Sequence, residues 1–125
     1  MRIVYIAHPI SGDVKGNLRK IYSIIRKINM EEPDIVPFAP YVSDLLSLDD
    51  NIPEERARGF DNNKAFFEKG IVEELRLYGV RRSYGMLEEE KWCREFNIPV
   101  RSYILPEWAA CEECAICTIS NNSEI

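Results

Sequence analysis

Residues Arg2 to Ala7 read RIVYIA, almost continuously apolar after the arginine and rich in β-branched and aromatic side chains. A strand with one face in water alternates apolar and polar residues. One that does not alternate is covered on both faces, as in a parallel sheet. Parallel neighbours cannot be joined by a hairpin and need crossovers, usually helices. This opening segment therefore demands a strand–helix–strand chain.

The rest of the sequence supplies it. After the turn-rich His8-Pro9-Ile10-Ser11-Gly12-Asp13, a helix is predicted over Asn17 to Met30, where Leu18, Ile21, Ile25 and Ile28 repeat at three and four. Asp34 to Ala39 is a second strand, and Pro37, which has no N–H to give, assigns it to an edge or a strand end. Tyr41 to Leu48 fits a short helix. Pro53 opens a further helix that Gly70 stops, with Ala57, Phe60 and Phe67 on one face. Asp61, Asn62 and Asn63 in that helix are polar positions with Phe neighbours that could contribute to a pocket, but an exposed face is the favoured reading. Ile71 to Gly79 is a third strand, unusually charged at Glu73, Glu74 and Arg76, and Ile98 to Ile104 is a fourth. The prediction is a single-domain three-layer α/β sandwich, flavodoxin-like or Rossmann-like, with a parallel sheet of four or five strands. The domain spans residues 1–104, followed by a cysteine-containing tail, 105–125, that is expected to be partly disordered.

At 125 residues the chain suffices for one core. Its formal charge of −5 argues against a protein built to neutralise a nucleic-acid backbone, and leaves room for a small ligand in a local pocket. No apolar run approaches the ~20 residues of a membrane span, and the opening is too quickly polar for a signal peptide. A cytoplasmic setting is expected.

The strongest local signal lies between Ser83 and Phe96. As a helix, this segment places Met86, Cys93 and Phe96 on one face, and the position that completes the stripe is Glu89. Glu88, Glu90, Lys91 and Glu95 fall elsewhere. A carboxylate on an inward stripe must be paired, kept protonated, or placed in a pocket. Arg56, Arg58, Arg76, Arg81 and Arg82 are all available as partners, so residue pattern alone leaves ion pair and catalyst open.

In parallel sheets, ligands bind beyond the carboxyl ends of the strands. Two segments leave that edge and run into helices, His8 to Asn17 and Val80 to Gly85. The first offers Ser11, Gly12 and Gly16 near a helix start, suited to a phosphate, although taken alone a plain turn is the favoured reading. His8, the single histidine, reads as structural from its place beside Pro9. Cys111, Cys114 and Cys117 form a C-x-x-C-x-x-C run without a fixed fourth ligand, and free thiols are the simpler reading.

Three stretches together resemble the nucleoside 2-deoxyribosyltransferase-like superfamily, over about residues 2 to 104. They are Val4-Tyr5-Ile6-Ala7-His8-Pro9-Ile10-Ser11-Gly12, Pro53-Glu54-Glu55-Arg56-Ala57-Arg58-Gly59, and Ser83-Tyr84-Gly85-Met86-Leu87-Glu88-Glu89 followed by Asn97-Ile98-Pro99-Val100. The closest likeness is to its small nucleotide N-glycosidase-like and phage-type branches. The resemblance implies cleavage of an N-glycosidic bond, by hydrolysis or base exchange, in a nucleoside 5′-monophosphate or deoxynucleoside.

By that resemblance Glu89 is the nucleophile and Tyr5 orients it. Glu73, where the superfamily has an aspartate, would contact or protonate the base. His8, Ile10, Ser11, Gly12, Ser83, Gly85 and Met86 form the substrate-binding set, with Ser83 and the Ser11-Gly12 loop on the phosphate and Arg81 and Arg82 nearby. No cofactor or metal is implied. The expected partner is a small nucleotide or nucleoside, with no nucleic-acid polymer and no membrane, bound by a homo-oligomer (dimer or tetramer). Two rival functions are a nucleotide-sequestering or sensing protein on the same fold, and a metal-binding protein led by the tail.

Overall fold

The computed structural model describes residues 1–105. Strand β1 (Arg2–Ala7) is followed by α1 (Val14–Glu31), β2 (Ile35–Phe38), α2 (Tyr41–Ser47), α3 (Pro53–Glu68), β3 (Glu74–Leu77), α4 (Tyr84–Phe96) and β4 (Val100–Ser102). The four strands form one parallel sheet in the order β2-β1-β3-β4. The α/β class and the layered arrangement follow the sequence expectation. The expected disorder of the tail concerns residues that, apart from Leu105, lie outside the described ones.

Strand alternation sorts the core into two layers. Val4 and Ile6 point to one face and pack with Ile28 of α1 and Ile35. Tyr5, Ala7, Leu75 and Leu77 point to the other, against Phe67 of α3 and Met86, Trp92 and Cys93 of α4. Each large apolar side chain so buried contributes about 1.5–3 kcal/mol. Pro37 sits in β2 at the edge of the sheet, where its missing N–H leaves no central ladder broken.

The third strand is shorter than Ile71 to Gly79. It starts at Glu74 because Gly70, at φ 75°, ends α3, and Ile71 and Val72 hydrogen-bond back to the Phe66 carbonyl. The charges that made it look unlike a central strand are paired. Arg76, 4% exposed, donates from Nε to Glu74 at 3.0 Å and in a fork to Glu32, the C-cap of α1, at 3.1 Å, while Arg2 also bonds Glu74. Burial pushes the Glu74 carboxyl up, but hydrogen bonds from Arg76 and Arg2 outweigh it and hold it below the ordinary range.

The strand order fixes where a ligand can sit. From β1 the chain turns outward through α1 to β2, then crosses back over β1 to reach β3 and β4. The helices that follow β1 and β3 therefore lie on opposite faces, which opens a crevice at the carboxyl ends of these two strands. Gly79 locks its two banks together. Its φ is 97°, and a Cβ there would come within 2.7 Å of Pro9 Cδ, so the loop after β3 packs directly on the loop after β1.

Candidate functional site

A cleft of about 580 Å³ opens at this crevice. The β1–α1 loop contributes His8, Ile10 and Ser11, and the start of α4 contributes Ser83, Tyr84, Gly85 and Met86. Glu89 lies one turn further into α4, 8% exposed, and Trp92 lies behind it. The stripe read from the sequence is thus the buried face of α4, with Glu89 where the cleft meets the core.

Glu89 has one hydrogen-bond partner among the described residues. Tyr5 Oη donates to its Oε2 at 2.6 Å. No arginine reaches it, so the ion-pair alternative is not realised. Burial pushes its carboxyl up to about 8, opposed only by the hydrogen bond from Tyr5. Tyr5 itself is fully buried, among Phe38, Phe67 and Tyr41 at ring distances of 6.4, 5.0 and 5.7 Å. Burial, then the neighbouring Glu89, raises its phenol well above the ordinary value, so it acts as a donor and not as a phenolate. Tyr41 is held by a 2.6 Å bond to the Ile6 carbonyl. This aromatic wall keeps water from one side of the carboxylate and fixes the other side towards the cleft.

Ser83 is the N-cap of α4. Its Oγ accepts from the Met86 N–H at 3.3 Å, and the Met86 sulfur accepts from the Ser83 N–H at 3.5 Å. Ser83, Gly85 and Met86 thus line the cleft at the positive end of a helix.

His8 is 7% exposed, and its Nδ1–H donates to the Pro9 carbonyl at 2.7 Å. A carbonyl only accepts, so Nδ1 carries the proton. Burial lowers the imidazole pKa, and the neutral ring keeps Nε2 as an acceptor. Ser11 lines the cleft, whereas Gly12, at φ 102°, does not and makes the turn behind it. The Asp13 side chain caps α1 by accepting from the Gly16 N–H at 3.1 Å. The anion-binding end of that helix therefore already holds a carboxylate, the opposite of what a phosphate needs there.

Glu73 requires a correction. It precedes β3 instead of ending it, and its carboxylate accepts from the Ile3 N–H at 2.7 Å. In a parallel sheet that is the edge away from the crevice, so Glu73 does not join Glu89. Arg81 and Arg82 do not line the cleft either, and Arg82 is paired with Glu90 at 2.9 Å. The arginine that does line it is Arg56 of α3.

Helix α3 carries a residue for which the sequence favours an exposed face but which the fold turns into the cleft. Asn63 lines the cleft together with Gly59 and Phe60, and its buried Oδ1 has no hydrogen-bond partner among the described residues. Ala57, assigned to the inner face, is exposed. The signal was available: Phe60, Asn63 and Phe67 are spaced at three and four, the same polar interruption of an apolar stripe that singled out Glu89. Asp61 is exposed as expected, and Asn62 accepts from Arg58 at 3.0 Å.

Among the described residues, no helix is long and apolar enough to cross a membrane. No curated protein and no solved structure matches the chain. Residues 2–103 match a family described as a domain of unknown function (DUF7768), and the chain belongs to that family.

Proposed function

We propose that this protein cleaves the N-glycosidic bond of a nucleoside or of its 5′-monophosphate, with Glu89 as nucleophile. The observation that carries the reading is one carboxylate, buried at the floor of a strand-end cleft and bonded, among the described residues, only by a tyrosine hydroxyl. The resemblance of the Tyr5, Ser83 and Glu89 segments to the deoxyribosyltransferase-like superfamily supports the same assignment.

The chemistry follows from that arrangement. Cleavage passes through an oxocarbenium-like centre, which a fixed carboxylate on its far face stabilises and then captures. The Glu89 oxygen forms a bond to the anomeric carbon as the C–N bond breaks. The base leaves with the electron pair and takes up a proton. Water, or a second base, then attacks the same carbon and frees the carboxylate. Tyr5 holds one carboxylate oxygen, so the other is the one presented to the sugar. Positive charge building on the sugar favours ionised Glu89, which offsets the desolvation that raises its pKa. The reading requires no cofactor, and takes the protein to be cytoplasmic and assembled from like subunits.

The test is incubation with a panel of nucleosides, 2′-deoxynucleosides and nucleoside 5′-monophosphates, following free base by chromatography. Wild type should release base from at least one, and Glu89→Ala from none. Equal release by both proteins would sink the mechanism. Tight binding without release would favour a nucleotide-sequestering protein on the same fold.

A further inference from the structure

A buried carboxamide oxygen with no partner costs folding free energy, and native structures keep few such groups. Asn63 Oδ1 is in this position, and it is the one buried side-chain polar atom without a hydrogen bond among the described residues. It is not stranded in the core. Asn63 lines the cleft that Glu89 floors, on a turn of α3 flanked by Gly59 and Phe60. Gly59, beside it on the cleft wall, has no side chain to cover it. Among the described residues, the charged groups that line the same cleft are mostly acceptors as well: Asp44, Asp50 and Glu55, against the one cation Arg56. The carboxylates have no proton to give, and among the described residues Arg56 makes no hydrogen bond to Asn63 Oδ1. What is missing opposite Asn63 is a donor.

We propose that Asn63 is the specificity residue of this cleft, its carboxamide oxygen accepting a hydrogen bond from an N–H or O–H of the bound nucleoside. The acidic lining points the same way, because it favours the amino and hydroxyl groups of a ligand over its anionic ones. A site built to bond a donor rejects the analogue that lacks it far more strongly than an apolar pocket does, since the acceptor is then left unpaired. The proposal rests on the nucleoside reading for its choice of ligand, but not on bond cleavage.

The donor belongs to either the sugar or the base, and matched pairs separate the two. Binding of adenosine, 2′-deoxyadenosine and purine riboside, which lacks the exocyclic amine, is measured by calorimetry on Glu89→Gln protein, with and without Asn63→Leu. With Asn63 present, one of the two analogues should bind about tenfold or more weakly than adenosine. With Asn63→Leu, adenosine should fall to the level of that analogue, so that the ratio collapses to about one. Asn63→Leu should melt at or above the temperature of its parent, because the unpaired oxygen is gone. A structural asparagine would do the reverse, and a lowered melting temperature with unchanged binding ratios overturns the proposal. So does a failure of all three nucleosides to bind. Asn63→Ser, smaller and still an acceptor, should restore part of the discrimination if the leucine is too large. Binding that obeys this pattern in a protein that releases no base would leave the Asn63 assignment standing and remove the glycosidase reading alone.

Discussion

Tyr5 and Glu89 are separated by most of the chain, yet their side chains share a 2.6 Å hydrogen bond beneath the cleft. Strand β1 supplies the donor and helix α4 the acceptor, so the bond forms only when the sheet and the third crossover are both in place. Among the described residues it is also the only interaction that draws the Glu89 pKa down against burial. Tyr5→Phe should therefore lower activity by about 10–100-fold, the value of a hydrogen bond to a charged group. The acid limb of its pH profile should move to higher pH. An unshifted limb with reduced rate would make Tyr5 a packing residue only.

Because the Glu89 carboxyl is pushed up to about 8, the free protein holds it mostly protonated at neutral pH. A nucleophile must be ionised, so kcat/KM for base release should rise with pH and level off only above about 8. Profiles of kcat/KM from pH 5 to 10 check this. A profile already flat between pH 5 and 7 would mean that Glu89 is ionised in the free cleft.

The same burial has a cost in stability. The folded-state pKa of Glu89 lies above its unfolded value of 4.5, so its contribution is fully present below about that pH and is lost as pH rises through 8. Glu89→Gln keeps an acceptor for Tyr5 without the charge. It should be inactive, yet more stable than wild type at pH 8–9 by on the order of 2 kcal/mol, with the two proteins converging near pH 5. Urea unfolding at the two pH values measures it. A Gln variant that is less stable at both would show that the carboxylate has partners beyond Tyr5.

The parts of this molecule legible in the sequence are those governed by periodicity. An apolar run at RIVYIA gave β1, and spacing of three and four gave α1 and the buried face of α4, Glu89 included. What was not legible depends on direction and distance. Glu73 has a base-contacting role by the resemblance alone, but β3 starts after it, and its carboxylate lies at the edge of the sheet away from the crevice. Glu74 and Arg76 broke the apolar pattern because their partners, Arg2 and Glu32, are contributed from far along the chain. Asn63 obeyed the same spacing rule as Glu89, but two adjacent polar residues concealed it.

The network around Arg76 makes a separate expectation. Arg76 is buried with Glu74 beside it, and removing one partner leaves an uncompensated charge. Arg76→Met should destabilise the fold by about 2–3 kcal/mol, reduced from the fully buried case because Arg2 and Glu32 are half exposed. Arg76→Met combined with Glu74→Leu should recover most of that loss. Glu74 has a lowered pKa, so the network is intact above about pH 4.5 and weakens as pH falls through the depressed value. A double variant no better than the single one would mean that the ion pair itself, and not the isolated charge, sustains stability.

Gly79 and Gly70 both have positive φ, at 97° and 75°, but they differ in what surrounds them. At Gly70 an added Cβ meets nothing within 4 Å, so alanine there costs only the backbone strain of about 1–2 kcal/mol. At Gly79 the Cβ also drives into Pro9 Cδ at 2.7 Å, and Pro9 adjoins His8, which lines the cleft. Gly79→Ala must push the β1–α1 loop away from the start of α4, which widens the site as well as straining the turn. Both variants should lose stability, Gly79→Ala the more, and only Gly79→Ala should weaken nucleoside binding, by about tenfold or more. Calorimetric binding beside thermal melts separates the two effects. Equal binding by both variants would show that the two banks of the cleft move independently, and that Gly79 matters to the fold alone.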